Sequence, residues 1–219
     1  MSDIRYGAVF DFDGTLMDTE PAIMASFEHV FELYRTVDEF TPERRIAMLG
    51  PALDVMMAQF FPERDPWECV NEYRRFQREH LRDLIKPMPG AKETLVKLDR
   101  MGIPCGIVST RYSSSLNELL QQNRMDGFMA VVLGNDSVSR SKPDPEGILR
   151  AKQEMGVQSV FYIGDSAMDV QAGRNAGAVT VAYPSNEGKR GQLLAEHPDY
   201  VIEHLLELPD LARQKKESV

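Results

Sequence analysis

The feature that most constrains the fold is the regular alternation, after residue 90, of short apolar runs with segments of helical periodicity. In turn, the predicted helices and strands are residues 91–101, 103–108, 113–123, 130–133, 145–155, 160–163, 167–176, 179–182 and 200–202, followed by a helix from Leu205. Such an order favours parallel strands joined by crossover helices. The sequence therefore predicts an α/β fold around an open parallel sheet.

One more strand precedes this alternation and is separated from it by a long helical stretch. Residues 6–10 form a short apolar run that ends abruptly in a polar loop. The stretch that follows has apolar residues at spacings of three and four and no convincing strand pattern. We therefore predict two domains, with residues 1–16 and 86–219 forming the core and residues 17–85 forming an inserted helical domain.

Composition limits the kinds of partner that the chain can have. The 219 residues carry 25 basic and 34 acidic side chains, a formal net charge of -9, and no basic stripe suited to a nucleic-acid backbone. We expect no nucleic-acid binding, and an anionic substrate would need a local positive site.

The two cysteines, Cys69 and Cys105, belong to no disulfide or metal pattern. Because no leader-like start or membrane-length apolar run is present, we expect a cytoplasmic protein without a membrane partner.

Polar residues that follow the predicted strands supply the candidate site. In an open parallel sheet, ligands bind beyond the carboxyl ends of the strands, so these residues converge. They are Asp11, Asp13, Ser109, Thr110, Gly164, Asp165 and Asp169, with Lys142 before a connecting helix. Carboxylates, a hydroxyl and an ammonium can hold a magnesium ion against a phosphate, with Asp11 and Asp165 as expected ligands. Each residue alone is more often a turn former, a cap or a surface charge, and only their joint occurrence favours a site.

These motifs closely resemble those of the haloacid dehalogenase superfamily of phosphotransferases, over essentially the whole chain. The matching segments are Asp11, Phe12, Asp13, Gly14, Thr15 after the first strand, then Ser109, then Ser141, Lys142, Pro143, and finally Gly164, Asp165 through Asp169. The resemblance implies a Rossmann-like core. It also identifies residues 17–85 as the small helical cap that such members close over the substrate.

The resemblance further implies a role for each residue. Asp11 would be the nucleophile that forms an aspartyl-phosphate, and Asp13 would be the acid/base and a Mg²⁺ ligand through its backbone carbonyl. Asp165 would bind Mg²⁺, with Asp169 as a ligand or supporting residue. The remaining roles would be phosphate binding by Ser109 and Thr110, charge stabilisation by Lys142, bracing of the first loop by Thr15, and additional phosphate contact by Arg111. In the cap, the segment around Gly50 either presents backbone amides to the substrate or merely starts a helix.

Within the superfamily, Asp13 argues against dehalogenase and phosphonatase members, which lack an aspartate there. The expectation is a magnesium-dependent phosphoric monoester hydrolase acting on a small phosphorylated metabolite, as a monomer or homodimer. Similarity at residues 48–53, 88–90 and 198–200 favours phosphoglycolate phosphatases, with the related bacterial pyrophosphatases as the alternative. A sugar phosphomutase of the β-phosphoglucomutase type keeps both aspartates and stays open. A non-catalytic phosphate-binding protein is disfavoured by the intact motifs.

Overall fold

The computed structural model describes residues 5–34, 40–49, 51–185 and 187–217. In chain order, the elements are β1 (Tyr6–Phe10), β2 (Met17–Asp18), α1 (Glu20–Tyr34), α2 (Pro42–Ala47), α3 (Leu53–Phe60), α4 (Pro66–His80), β3 (Lys86–Pro87), α5 (Ala91–Arg100), β4 (Cys105–Val108), α6 (Ser113–Gln122), β5 (Met129–Leu133), α7 (Glu146–Glu154), β6 (Ser159–Gly164), α8 (Ala167–Asn175), β7 (Val179–Ala182), α9 (Glu187–Ala195), β8 (Tyr200–Val201) and α10 (Leu208–Glu217). The described residues include no helix that is both long and apolar enough to cross a membrane.

The chain divides into two compact units. One comprises the chain up to Met17 and from Pro87 onward, and the other comprises Asp18–Lys86. The change from one unit to the other falls within β2 and β3, which form a short two-stranded sheet.

The larger unit is built on a six-stranded sheet in the order β5-β4-β1-β6-β7-β8, in which all paired strands are parallel. The predicted α/β fold with a Rossmann-like parallel sheet is confirmed. The strand order reverses at β1, which lies between β4 and β6. In open α/β sheets such a switch point leaves a crevice at the carboxyl ends of the strands, where ligands bind.

Most predicted bounds lie within one residue of those in the structure, and two larger differences have a clear cause. The strand predicted to start at Ile103 begins at Cys105, because Pro104 has no N–H to give to the ladder and uses its carbonyl to accept from Ala8 N at 2.9 Å. Helix α9 was not predicted, because Gly188 and Gly191 weaken its helical pattern.

The central strands are buried, as parallel strands covered by helices require. Every residue of β1 and nearly all of β6 is buried. One apolar cluster joins the sheet to α7 and α8, and its members are Val9, Val108, Val131, Leu133, Ile148, Ala151, Met155, Val157, Val160, Tyr162 and Ala172. This packing holds the carboxyl ends of β1, β4 and β6 in a fixed arrangement.

The smaller unit is a helical bundle with an aromatic core. The ring of Phe31 on α1 lies 5.3 Å from that of Phe40, 5.9 Å from that of Phe60 and 5.0 Å from that of Phe61. At the start of α4, the side chain of Asp65 accepts a hydrogen bond from Trp67 N at 3.0 Å. This cap explains why the helix begins at Pro66.

Candidate active site

The loop after β1 places the first aspartate at the sheet edge. The backbone N–H of Asp11 donates to the carbonyl of Ile163 on β6 at 2.8 Å, which extends the strand pairing by one residue. Gly14 in this loop has a φ of 81°, in the left-handed region. A Cβ there would lie 2.5 Å from Asp165 Oδ2. Glycine therefore allows the Asp165 carboxylate to approach the loop closely.

Three carboxylates converge beside this loop. Asp11, Asp165 and Asp169 each offer an oxygen, and these oxygens lie within 4.8 Å of one another. Taken as whole residues, Asp11, Asp165 and Asp169 are 6%, 3% and 1% exposed. Buried carboxylates at this spacing repel one another unless cations lie among them. Hard oxygen donors suit Mg²⁺, so the donor set fits the expected cation.

Lys142 lies among the same carboxylates. Its Nζ donates to Asp11 Oδ1 at 2.7 Å and to Asp169 Oδ1 at 2.6 Å, and its side chain is 6% exposed. Burial alone would lower the pKa of Lys142, but Asp11 and Asp169 raise it well above its usual value. Burial raises the pKa of Asp11 to about 8, with Asp169, Asp165 and Asp13 adding to the shift and Lys142 opposing it. The ammonium therefore stays charged beside the proposed nucleophile.

Tyr162 is a site residue that the sequence motifs did not predict. Its side chain is buried in β6, and Oη lies 3.1 Å from the carbonyl of Val108 and 3.2 Å from Asp169 Oδ1. Burial raises the pKa of Tyr162 well above its usual value, so the hydroxyl keeps its proton. A polar-tipped side chain within an otherwise apolar strand was the available signal, since a buried tyrosine hydroxyl usually finds a partner.

Asp169 is also held at the start of α8. Its Oδ2 accepts hydrogen bonds from the backbone N–H of Ser166, at 3.0 Å, and from the Ser166 hydroxyl. The spacing of Ser166 and Asp169 is that of a capping box, a signal that sequence inspection could have found. One carboxylate oxygen of Asp169 thus caps a helix while the other contacts Lys142.

The predicted phosphate-binding residues follow β4. The backbone N–H of Ser109 donates to Leu133 O on β5 at 3.0 Å, and its hydroxyl accepts from Arg111 N at 3.1 Å. Ser109 and Thr110 line a pocket together with Lys142. The structure therefore places these two predicted residues and Lys142 around one pocket.

Arg111 contacts Asp13, which the sequence did not predict. Its Nε donates to Asp13 Oδ1 and Oδ2 at 3.1 and 3.2 Å, and Nη2 donates to Oδ1 at 2.7 Å. Nη1 donates to Ser115 Oγ at 3.1 Å. The side chains of Arg111 and Asp13 are 12% and 22% exposed. The guanidinium is thus held against the carboxylate of the proposed acid/base.

The bracing role predicted for Thr15 gains no support from its hydroxyl. Thr15 is fully buried, and its Oγ1 has no hydrogen-bond partner within the described part of the chain. Gly50 lies outside the described residues.

The sequence matches a known protein family and individual relatives. The model of a family described as haloacid dehalogenase-like hydrolase matches residues 8–183. Pyrophosphatase PpaX of Bacillus cereus is 30% identical over 202 residues, 91% of this chain and 93% of the relative. The protein of the same name from Bacillus velezensis is 32% identical over 211 residues, 95% of this chain and 97% of the relative.

Solved structures also resemble the chain. A haloacid dehalogenase-like protein from Bacteroides fragilis has a TM-score of 0.83 and 27% identity, covering 94% of this chain and 99% of that one. A HAD-superfamily hydrolase of subfamily IA from Geobacter sulfurreducens has a TM-score of 0.71 and 25% identity, covering 95% and 96%. These matches extend through both units of the chain.

Proposed function

Because the chain belongs to the haloacid dehalogenase-like hydrolases, we propose that it is a magnesium-dependent phosphatase that forms an aspartyl-phosphate on Asp11. The observation that carries this proposal is the 2.7 Å contact between Asp11 and Lys142 inside a buried carboxylate cluster. A carboxylate attacks a phosphate dianion poorly until positive charge offsets the repulsion. Lys142 brings such a charge to the nucleophile.

Asp11, Asp165 and Asp169 are the side chains that would hold the cation. When bound, a magnesium ion supplies Lewis-acid polarisation of the phosphoryl oxygens and offsets the negative charge of the site. These carboxylate oxygens suit Mg²⁺ in their chemistry and their spacing. Mg²⁺ is usually bound by one or two carboxylates together with substrate oxygens and water.

The chain's own residues divide the reaction into two transfers. In the first, Asp11 bonds to phosphorus as the bond from phosphorus to the leaving oxygen breaks, and Asp13 gives that oxygen a proton. In the second, Asp13 takes a proton from the water that attacks the aspartyl-phosphate, which releases phosphate and restores the Asp11 carboxylate. The Ser109 hydroxyl and the Thr110 backbone N–H would hold phosphoryl oxygens during both.

Two substrates are the leading candidates. The resemblance of the sequence motifs favours phosphoglycolate, whereas the two relatives at 30% and 32% identity are named as pyrophosphatases. In each compound the transferred phosphoryl group is joined to a part that carries its own negative charge. We propose a substrate of this kind, with hydrolysis of either compound as the activity to be measured.

Phosphate release from both compounds, with and without Mg²⁺, tests the proposal directly. Asp11→Asn should lower kcat about 1000-fold or more, because it removes the nucleophile. Asp126→Asn, the same change at an exposed position, should leave kcat unaltered. Full activity of Asp11→Asn, or equal activity in EDTA, would show the proposal to be wrong.

The phosphomutase alternative needs a separate assay. Conversion of a sugar 1-phosphate into its 6-phosphate, without release of phosphate, would mean that the phosphoenzyme is discharged to a sugar. We expect water to be the acceptor, with phosphate released in proportion to the substrate consumed.

A further inference from the structure

We propose that Arg111 selects substrates whose leaving group carries a negatively charged group of its own, in addition to the charge of the transferred phosphoryl group. This inference rests on the proposed function, because it takes Asp13 as the group that protonates the leaving oxygen. The carrying observation is the set of three hydrogen bonds, 2.7 to 3.2 Å long, from the Arg111 guanidinium to the Asp13 carboxylate.

The position of Arg111 follows from that contact. A proton donor must come within hydrogen-bond distance of the leaving oxygen. A guanidinium bonded to the same carboxylate then lies within about 8 Å of that oxygen, the span of two hydrogen bonds and of the carboxylate between them. In pyrophosphate and phosphoglycolate, the second anionic group begins one or two bonds beyond the leaving oxygen. It therefore falls within reach of Arg111.

The charges of the site also favour this role for Arg111. Lys142 is engaged by Asp11 and Asp169, on the side of the nucleophile. Arg111 brings positive charge to the side of Asp13. A planar guanidinium binds carboxylates and phosphates through paired hydrogen bonds, which makes it suited to either candidate substrate.

The guanidinium is positioned before the substrate arrives. Ser115 Oγ accepts from Nη1 at 3.1 Å, and the Arg111 backbone N–H donates to Ser109 Oγ at the same distance. Binding to a group that is already oriented loses less side-chain entropy.

A change in the hydrogen-bond partners of the Arg111 guanidinium would link substrate selection to proton transfer by Asp13. Both oxygens of Asp13 accept hydrogen bonds from Arg111. A substrate anion that takes over part of the guanidinium frees a carboxyl oxygen of Asp13 to face the leaving oxygen. A neutral leaving group offers no such replacement, so its phosphate ester is cleaved less well.

A matched pair of substrates tests the inference. We would compare 2-phosphoglycolate with 2-hydroxyethyl phosphate, which replaces the carboxylate by a neutral alcohol group. Arg111→Met should lower kcat/KM for phosphoglycolate and pyrophosphate about 10- to 100-fold more than for hydroxyethyl phosphate. For Arg111→Lys, the ratio of kcat/KM for the charged substrates to kcat/KM for the neutral one should lie between those of the wild type and Arg111→Met. Lysine keeps the charge but cannot form the paired hydrogen bonds of a guanidinium. Arg100→Met, at an exposed arginine, should leave the ratio unchanged.

Two outcomes would overturn the inference. An equal loss on charged and neutral substrates would mean that Arg111 only positions Asp13, and no loss on either kind of substrate would mean that Arg111 takes no part in binding or reaction. Calorimetric binding of the same compounds to Asp11→Asn and to Asp11→Asn with Arg111→Met keeps the question separate from turnover. If Arg111→Met weakened the binding of only the charged compounds in that assay, anion recognition by Arg111 would be supported even if Asp11 were not the nucleophile.

Discussion

Lys142 Nζ lies 2.7 Å from Asp11 Oδ1, although 131 positions separate the two residues in the chain. Asp11 comes from the end of β1, and Lys142 comes from the loop before α7. Both side chains are almost completely buried, at 8% and 6% exposure. An ion pair so protected from water is screened little by salt, and its attraction acts fully on the nucleophile.

Removal of the Lys142 charge should therefore slow the chemical step. Lys142→Met should lower kcat about 100-fold or more, because a charge that stabilises the transition state in a buried site is lost. Lys97→Met changes an exposed lysine on α5 and should leave kcat as it is. Steady-state kinetics, with circular dichroism to confirm folding, make the comparison. Retention of wild-type kcat by Lys142→Met would remove Lys142 from the reaction.

Tyr162 should act as a positioning residue through Asp169. Tyr162→Phe deletes the hydroxyl that lies 3.2 Å from Asp169 Oδ1. Because the pairing of Asp169 with Lys142 then loosens, we expect kcat to fall about 10-fold with little change in KM. Tyr6→Phe makes the same chemical change in buried β1 and should keep wild-type kcat. Equal kcat in the two variants would contradict a positioning role.

Magnesium affinity should rise with pH. Burial, helped by neighbouring carboxylates, raises the pKa of Asp11 to about 8. Below that pH the cation must displace a proton, so each unit of pH from about 5 to 8 should raise the apparent affinity by up to about tenfold. Above pH 8 the affinity should level off. Isothermal titrations at several pH values measure this slope, and a slope of zero in the wild type would contradict the linkage. Asp11→Asn, which cannot titrate at this position, should lose the slope.

Gly164 should tolerate no side chain. An added Cβ would overlap the Cβ and Cγ of Asp169, so Gly164→Ala would displace that carboxylate from Lys142. We expect a loss of stability of about 1–3 kcal/mol, as for other overpacked sites, together with a large fall in kcat. Gly127→Ala meets no atom within 4 Å and is the control. Denaturant unfolding and kinetics of both variants test this, and a fully active Gly164→Ala would place Asp169 outside the site.

Much of this arrangement was predictable because local sequence and sheet geometry agree. Short apolar runs indicated the strands, and the polar residues that follow three of these runs indicated the edge at which Asp11, Ser109 and Asp165 would meet. The family resemblance then assigned roles to them, and the match to residues 8–183 confirms the family. Those individual roles remain predictions for the experiments above.

What the sequence did not predict depends on side-chain directions in three dimensions. The Arg111 pairing with Asp13 joins positions 98 residues apart, and no local pattern distinguishes it from a phosphate contact. The position of Tyr162 in an apolar strand indicates that its hydroxyl needs a partner, but does not identify that partner as Asp169. Helix α9 was missed because its glycines dilute a pattern that tertiary packing nonetheless makes helical.

The central claim is that phosphate passes through Asp11, and trapping the intermediate tests it most directly. Borohydride reduces an acyl phosphate to an alcohol, so quenching the enzyme with borohydride during turnover should convert residue 11 into homoserine. We expect peptide mass spectrometry to find homoserine at position 11 only when both substrate and Mg²⁺ are present, and not in Asp11→Asn. Reduction at another residue, or wild-type turnover by Asp11→Asn, would contradict the account.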